Sequence, residues 1–277
     1  MNTLQQFSVC RMAQVLKHDI LTENRKLAYN VAALFGVMLI PLVFILMFSN
    51  CDDFSCVASK YEFILEAIFA WGSYFVATEI MKPMQTKEGR INFLMLPATN
   101  AEKFAARFIY VTIGYLVTFF VALVALDLVY QLLVLVFKND SDFFGSITSV
   151  LLTLHGGGDL NINGTTVSLF GNWTFAFFLP LFGHSLWILG GSLWYKRSFI
   201  KTWVAQVIFG FVVSMAISAV VLHLPEDWYR IFDDINTDAL IYAVNIVAFC
   251  LTIGVYYFSY KLFVRSQVIP QSKFFLQ

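Results

Sequence analysis

Charged residues are scarce in this chain of 277 residues, which has 18 Lys and Arg and 18 Asp and Glu. The charged fraction is 13%, whereas a soluble globular domain has roughly 25%. Hydrophobic residues make up 59% of the chain. A soluble domain of this composition would expose too much apolar surface to water, so the sequence indicates a membrane protein.

The motifs of common catalytic and nucleotide-binding sites are missing. The chain has no Gly-x4-Gly-Lys-Ser/Thr loop, no His-Glu-x-x-His helix and no Gly-x-Ser-x-Gly turn. The run Gly156-Gly157-Gly158 lacks the phosphate-binding lysine, and the four histidines are scattered along the chain. We therefore expect no enzyme activity, no cofactor, no metal site and no nucleic-acid partner.

Only four cysteines are present, and two of them, Cys51 and Cys56, are five positions apart. An oxidising compartment would allow these two to form a disulfide. Two free thiols beside a short turn are the alternative, and the spacing does not decide between them. Cys10 lies in a segment predicted to be cytoplasmic, and Cys250 lies within a predicted membrane span.

Six long apolar segments account for most of the chain. A bilayer core of about 30 Å requires about 20 mostly apolar residues in a helix that crosses it. Six segments meet that requirement: Leu27 to Phe48, Phe63 to Ile80, Phe108 to Val136, Thr174 to Tyr195, Trp203 to Leu222 and Ala239 to Tyr260. The predicted fold class is all-α, a polytopic membrane protein with six transmembrane helices.

Lys and Arg fall almost entirely in alternate connections between these segments. Residues 1–26 contain four Lys and Arg residues, the second connection contains five, the fourth contains three, and the segment after the sixth span contains three. The first, third and fifth connections contain one each. The positive-inside rule assigns the side with 15 of the 18 to the cytoplasm. We predict a cytoplasmic arm at 1–26, a six-span transmembrane domain at 27–260 and a cytoplasmic tail at 261–277, in the cell (inner) membrane.

The N-terminal arm has helical periodicity. Apolar residues recur at spacings of three and four, while polar residues fall between them. The apolar set is Val9, Met12, Ala13, Leu16 and Ile20, and the polar set is Arg11, Gln14, Lys17 and His18. This pattern predicts an amphipathic helix that lies along the inner surface of the bilayer. A frayed, solvated tail is the alternative.

The connection between the second and third spans, Met81 to Arg107, contains an apolar cluster, Phe93-Leu94-Met95-Leu96. A cluster of this size in a basic loop requires cover from the bilayer, from the protein itself or from a partner. Thr99 and Glu102 form a capping-box pattern, which predicts that the third helix begins at Asn100, before it enters the membrane.

The stretch from Asn92 to Arg107, which runs into an aromatic-rich span, resembles the permease subunits of ABC-2-type transporters, especially those of Bacteroidetes-like bacteria. Their loop often reads Leu-Met-Leu-Pro-Ala-Ser followed by Glu-Lys-Phe. This chain has Leu94-Met-Leu-Pro-Ala-Thr99 and then Glu102-Lys-Phe104. The six-span layout with an amphipathic arm extends the likeness loosely over the whole chain.

The resemblance implies two partners besides the bilayer: a separate ATP-binding subunit and a second permease copy, identical or not. It also implies that the loop between the second and third spans contacts the ATPase. The residues predicted for that coupling are Arg90, Phe93, Leu94, Leu96, Glu102, Lys103 and Arg107. The implied function is export of an unknown substrate, and the apolar, Phe-rich spans favour an amphiphilic one.

His184 is the ionisable residue placed deepest in a predicted span, about 18 Å from Lys196 at about 1.5 Å per residue. It is predicted to hydrogen-bond a neighbouring helix through Ser185, Ser214 or Ser218, or else to line a substrate path.

The acidic residues in or beside the spans are placed nearer the membrane surfaces. Asp127, Glu62 and Glu66 are predicted near the outer surface, and Glu79 is predicted to pair with Lys82 at the inner one. No chain of buried acids suggests a proton-driven pump.

A membrane protein that does not transport, such as an assembly factor, a sensor or an anchor, could use the same loop to hold a partner. An intramembrane enzyme is disfavoured because paired catalytic groups are missing. Export as a permease subunit is therefore the first functional hypothesis, and anchoring of a cytoplasmic partner is the alternative.

Overall fold

The computed structural model describes residues 7–51, 53–137, 143, 145–147, 159–162, 165–168, 173–194, 196–222 and 237–267. Helices dominate these residues. They are α1 (Val9–Thr22), α2 (Asn24–Phe48), α3 (Phe54–Ala77), α4 (Lys87–Met95), α5 (Asn100–Phe137), α6 (Trp173–Leu193), α7 (Ser198–Leu222) and α8 (Thr237–Gln267). A 3-10 turn, Thr78–Met84, follows α3, and a two-stranded antiparallel hairpin pairs β1 (Asp159–Ile162) with β2 (Thr165–Ser168).

Five helices in the described part of the chain are long and apolar enough to cross a membrane: α2, α3 with its 3-10 turn, α5, α7 and α8. The expectation of a mostly helical protein with membrane-length helices is confirmed. Helix α6 occupies the position of the fourth predicted span, and only its side chains from 180 onward are described. The sixth crossing and the side on which each terminus lies stay predictions.

The chain divides into two compact units. The first unit contains Met1–Val76 and Leu96–Leu154, and its core is formed by α2, α3 and α5. Met38 and Leu42 of α2 pack in one cluster with side chains of α3 and α5. The other members that are less than 2% exposed are Val57, Tyr61, Leu65, Ala122, Leu123, Leu126, Tyr130, Val134 and Ile147. Membrane-length helices with so many bulky residues bury them against each other on one face and leave the rest for lipid.

The second unit contains Ala77–Met95 and His155–Gln277. In it, α6 packs against α8 and against the 3-10 turn. Two consecutive glycines allow close packing near the end of α6: a Cβ at Gly190 would overlap the Thr202 hydroxyl of α7, and one at Gly191 would lie 2.6 Å from the Thr78 carbonyl oxygen of the 3-10 turn. The Ser198 hydroxyl donates a hydrogen bond to the same Thr78 carbonyl at 3.1 Å.

Cys51 and Cys56 form a disulfide in the short connection between α2 and α3, with a Cα–Cα distance of 5.5 Å. Asp53, beside it, accepts hydrogen bonds from the Ser55 hydroxyl at 2.7 Å and from the Cys56 backbone N–H at 3.0 Å. These bonds lower the pKa of Asp53 and satisfy donors at the start of α3. The sequence left open whether Cys51 and Cys56 form a disulfide or remain free thiols, and in the structure they form the disulfide.

The disulfide predicts a distinct labelling pattern in the purified chain. A maleimide polymer should add two labels to the denatured, unreduced protein, at the free thiols Cys10 and Cys250. After reduction it should add four. A gel shift counts the labels, and a Cys51→Ser, Cys56→Ser variant should show two with or without reductant. Four labels without reduction would contradict a disulfide and also an oxidising compartment on this side.

The helix bounds differ from the predicted spans mainly at α3, which begins at Phe54 whereas the second span is predicted from Phe63. The apolar segment was predicted to begin too late because Ser55, Ser59 and Glu62 lower the mean hydropathy of the first turns of α3. The run Gly156-Gly157-Gly158 lies outside the described residues.

Candidate functional site

Glu102, in the first turn of α5, is the centre of a polar cluster. The Thr99 backbone N–H donates to its carboxylate at 2.8 Å, and the Glu102 backbone N–H donates to the Thr99 hydroxyl at 3.3 Å. This is the reciprocal pattern of a capping box. It confirms the predicted capping box and the start of α5 at Asn100.

The N-terminal arm binds the same carboxylate. The Arg11 guanidinium donates to Glu102 at 2.8 Å from Nη2 and at 3.2 Å from Nε, and the Ser8 backbone N–H donates at 2.6 Å. Glu102 is fully buried, so its charge is compensated entirely by these donors and by Thr99. The hydrogen bond to the carboxylate raises the pKa of Arg11. The start of α1 is thereby fixed to the start of α5.

A second ion pair joins the two helices further along. Arg107 Nη1 lies 3.3 Å from Asp19 Oδ2, and the Arg107 guanidinium also lies 5.0 Å from the centre of the Tyr110 ring. The Tyr110 hydroxyl in turn donates to Glu23 at 3.1 Å. Arg107 is 1% exposed and Asp19 is 7% exposed. The arm therefore runs alongside the first turns of α5 with its register set by charge.

Helix α1 has three faces. Arg11, Val15 and Asp19, four residues apart, form the face that packs in the protein. The prediction that Arg11 points away with the other polar residues is wrong, because its ion pair turns it toward α5. The predicted apolar face remains uncovered, with Val9 66% and Ile20 42% exposed. Its position on a bilayer surface stays a prediction.

Three residues predicted to meet an ATPase are not on the surface. Glu102 is fully buried, Lys103 is 4% exposed and Arg107 is 1% exposed. This is a correction to the sequence analysis: the arm, about 90 positions earlier in the chain, packs over Glu102 and Arg107. Glu102 and Arg107 instead position α1, through their hydrogen bonds to Arg11 and Asp19.

The apolar cluster of the loop is also largely covered. Phe93 is 4% exposed, and its ring lies 6.1 Å from that of Phe263 in α8 at an interplanar angle of 80°. Phe93 is therefore covered and does not face a partner in this structure, unlike the contact that the resemblance implies. Leu94 and Leu96 are half-buried, and Arg90 donates a hydrogen bond to the Met84 carbonyl at 3.2 Å. Among the bilayer, the protein itself and a partner, it is the protein itself that covers Phe93, through Phe263 of α8.

The outward face of α4 is formed by other residues, which the sequence analysis did not single out. Lys87, Ile91 and Met95, at successive spacings of four, are exposed, as are Glu88 and Asn92. Ile91 is 48% exposed and Met95 78%. A helical projection of residues 87–95 would have separated this face from Phe93.

His184 in α6 is 9% exposed, and its Nδ1 lies 3.2 Å from the Tyr256 hydroxyl of α8. The prediction that it bonds a neighbouring helix is confirmed. The predicted partners are wrong: Ser185 donates to its own helix at the Phe182 carbonyl, and Ser214 and Ser218 are exposed on α7. Its place on a substrate path stays a prediction.

Glu79 and Asp127 also have structural partners. Lys82 and Glu79 form the predicted pair at 2.6 Å. Asp127 accepts hydrogen bonds from the Ser146 hydroxyl at 2.6 Å and the Ile147 backbone N–H at 2.7 Å, so it anchors the segment after α5.

Within the described ranges, no three His, Cys, Asp or Glu side chains are grouped to hold a metal ion. Comparison of the chain with protein-family models, with curated proteins and with solved structures gives no match. The function is therefore argued from the arm, the loop and the spans themselves.

Proposed function

We propose that the chain is the permease subunit of an ATP-driven ABC-2-type exporter, which works with a separate ATP-binding subunit and a second permease copy. The observation that supports this most is the joining of α1 to the start of α5 by two ion pairs of low exposure, Arg11–Glu102 and Asp19–Arg107. Such pairs hold a fixed register, so a displacement of the arm would move the third span with it. The loop that resembles the family runs directly into this junction.

The contact with the ATPase is assigned to the outward face of α4, which contains Lys87, Glu88, Ile91 and Met95. Two exposed apolar side chains between charged ones suit a small protein interface. The chain before α4 is a 3-10 turn in which Met81 has a non-helical backbone (φ −97°, ψ 15°). ATP binding by the partner would favour the permease state in which α4 makes the better contact.

Substitutions in α4 should separate assembly from folding. Ile91→Asp and Met95→Asp place a charge in the proposed interface, where a buried charge without a partner costs several kcal/mol. We expect each to lower co-purification of the ATPase at least about tenfold. Membrane yield and thermal stability of the chain alone should not change, since both side chains are exposed in it.

Two variants serve as controls. Asn92→Asp adds a charge on the same helix at a polar position and should retain the partner. Phe93→Asp places the charge beside Phe263 and should instead destabilise the chain by itself. Full retention of the ATPase by both Ile91→Asp and Met95→Asp would contradict the assignment of this face.

The transport function is tested by hydrolysis. The purified chain in lipid should hydrolyse no ATP. Its presence should change the rate of the co-purified ATPase, because contacts that differ between two states of the partner shift the population of those states. Hydrolysis by the chain alone would contradict the proposal. A bound partner whose hydrolysis is indifferent to the chain, with no export, would favour an anchor, sensor or assembly factor.

A further inference from the structure

The disulfide between α2 and α3 has two sulfur atoms in unlike surroundings. At Cys51, the Lys60 ammonium nitrogen lies 3.4 Å from Sγ, and the Ser49 hydroxyl oxygen lies 3.3 Å from the same atom. A lysine beside a cysteine stabilises its thiolate, because the ammonium group offsets the negative charge on sulfur. If the disulfide is cleaved so that the charge falls on Cys51, a cation is already in contact with it.

The charges around Cys56 favour the opposite. Cys56 lies in the first turn of α3, and a helix N-terminus is equivalent to about half a positive charge. The Asp53 carboxylate, which accepts a hydrogen bond from the Cys56 backbone N–H at 3.0 Å, brings a full negative charge to the same turn. The net local charge is therefore negative at Cys56 and positive at Cys51, so Cys51 is the better site for a thiolate.

The exposure of the two cysteines differs in the same direction. Cys51 is 6% exposed and belongs to the apolar core of the first unit, whereas Cys56 is half-buried. The rate of thiol–disulfide exchange depends on which sulfur the attacking thiolate can reach and on how well the other sulfur leaves. Access favours attack on Cys56, and charge favours departure of Cys51.

We propose that this disulfide is a thiol-exchange site at which an external thiolate attacks Cys56 and Cys51 leaves. The attacking sulfur forms a bond to Cys56 Sγ, the Cys51–Cys56 bond breaks, and its electron pair goes to Cys51 Sγ beside Lys60. Where the reductant is a dithiol, its second thiolate attacks its own sulfur in the mixed disulfide and releases Cys56. The dithiol is thereby oxidised to a disulfide, both cysteines are reduced, and its two protons pass through solvent to the released thiolates.

The exchange leaves the fold in place, because other contacts join α2 and α3. The Tyr61 hydroxyl of α3 donates to the Met38 carbonyl of α2 at 2.9 Å. Val57 and Leu65 of α3 pack in one cluster with Leu42 of α2. Reduction therefore frees the connection between the two helices without separating them, and the connection becomes a redox-sensitive part of the chain. This chemistry does not depend on the proposed export.

The first test locates the attacked sulfur. The full chain with Cys10→Ser and Cys250→Ser, which retains only the disulfide pair, is treated in detergent with 2-mercaptoethanol, and free thiols are blocked at once with N-ethylmaleimide. Mass spectrometry then assigns each adduct to its cysteine. We expect mercaptoethanol on Cys56 at least about tenfold more often than on Cys51. Equal adducts at the two cysteines, or more at Cys51, would overturn the proposal.

The second test measures the effect of Lys60 on the rate. Lys60→Met should slow reduction by 2-mercaptoethanol at least about fivefold, and Lys60→Arg, which keeps the charge, should stay within about twofold of the parent. Lys17→Met, on the exposed face of α1, is the matched control and should have no effect. Cysteamine carries an ammonium group, which offsets attraction of its thiolate by Lys60, so a similar slowing with cysteamine assigns the effect to the leaving sulfur. No slowing, or slowing with 2-mercaptoethanol alone, would contradict the role of Lys60.

The third test is reversibility. The reduced chain should keep a cooperative thermal unfolding transition in detergent, as should a Cys51→Ser, Cys56→Ser variant. Oxidised glutathione should then restore the disulfide, and a maleimide gel shift counts the remaining thiols. Aggregation or loss of the transition on reduction, or failure of the bond to re-form, would show that the disulfide is a structural link and refute an exchange site.

Discussion

Replacing Gly191 with Ala should strongly destabilise the second unit. The new Cβ would lie 2.6 Å from the Thr78 carbonyl oxygen and 2.9 Å from its carbon. These are backbone atoms of the 3-10 turn, and Thr78 is held there by the Ser198 hydroxyl, so no side-chain rotation relieves the overlap. We expect a loss of about 3 kcal/mol or more in unfolding free energy, at the upper end for overpacking.

The measurement is the thermal unfolding midpoint of the purified chain in detergent, together with its yield from membranes. Gly210→Ala in α7 is the matched control, because nothing lies within 4 Å of its new Cβ. In a helix interior this change is expected to be neutral or favourable by up to about 1 kcal/mol. If Gly191→Ala and Gly210→Ala unfold at the same temperature, α6 and the 3-10 turn do not approach this closely.

Asp19→Ala should release the arm from α5. It leaves the Arg107 guanidinium, which is 1% exposed, without its anionic partner, and removal of one member of a buried pair costs about 3–5 kcal/mol. Because the Tyr110 ring, whose hydroxyl donates to Glu23, also lies against the Arg107 guanidinium, we expect the lower part of that range. Limited proteolysis should cut between α1 and α2 much faster in the variant.

Lys17→Ala, on the exposed face of α1, is the control and should leave proteolysis unchanged. The exchanged pair Asp19→Arg with Arg107→Asp should recover part of the protection, which a loss of helix propensity alone could not explain. In the proposed exporter, Asp19→Ala should also weaken the effect of the chain on ATP hydrolysis. Equal cleavage of wild type and Asp19→Ala would show that the pair does not hold the arm.

Local features of the sequence were sufficient to predict the membrane-length helices and the start of α5. The long apolar runs predicted helices of membrane length, because backbone donors and acceptors within a bilayer must be satisfied inside the segment. Thr99 and Glu102, three residues apart, predicted the start of α5, since a capping box depends on neighbours within one turn. The Glu79–Lys82 pair was predicted for the same reason.

Tertiary structure decided which face of each helix is covered, because those contacts join residues far apart in sequence. Arg11 meets Glu102 across 91 positions, so the amphipathic pattern of the arm could not show that Arg11 packs inward. Phe93 is buried by Phe263, which no local pattern identifies. The sequence determined long apolar helices of membrane length, and packing determined which of their side chains are covered and which charges are paired.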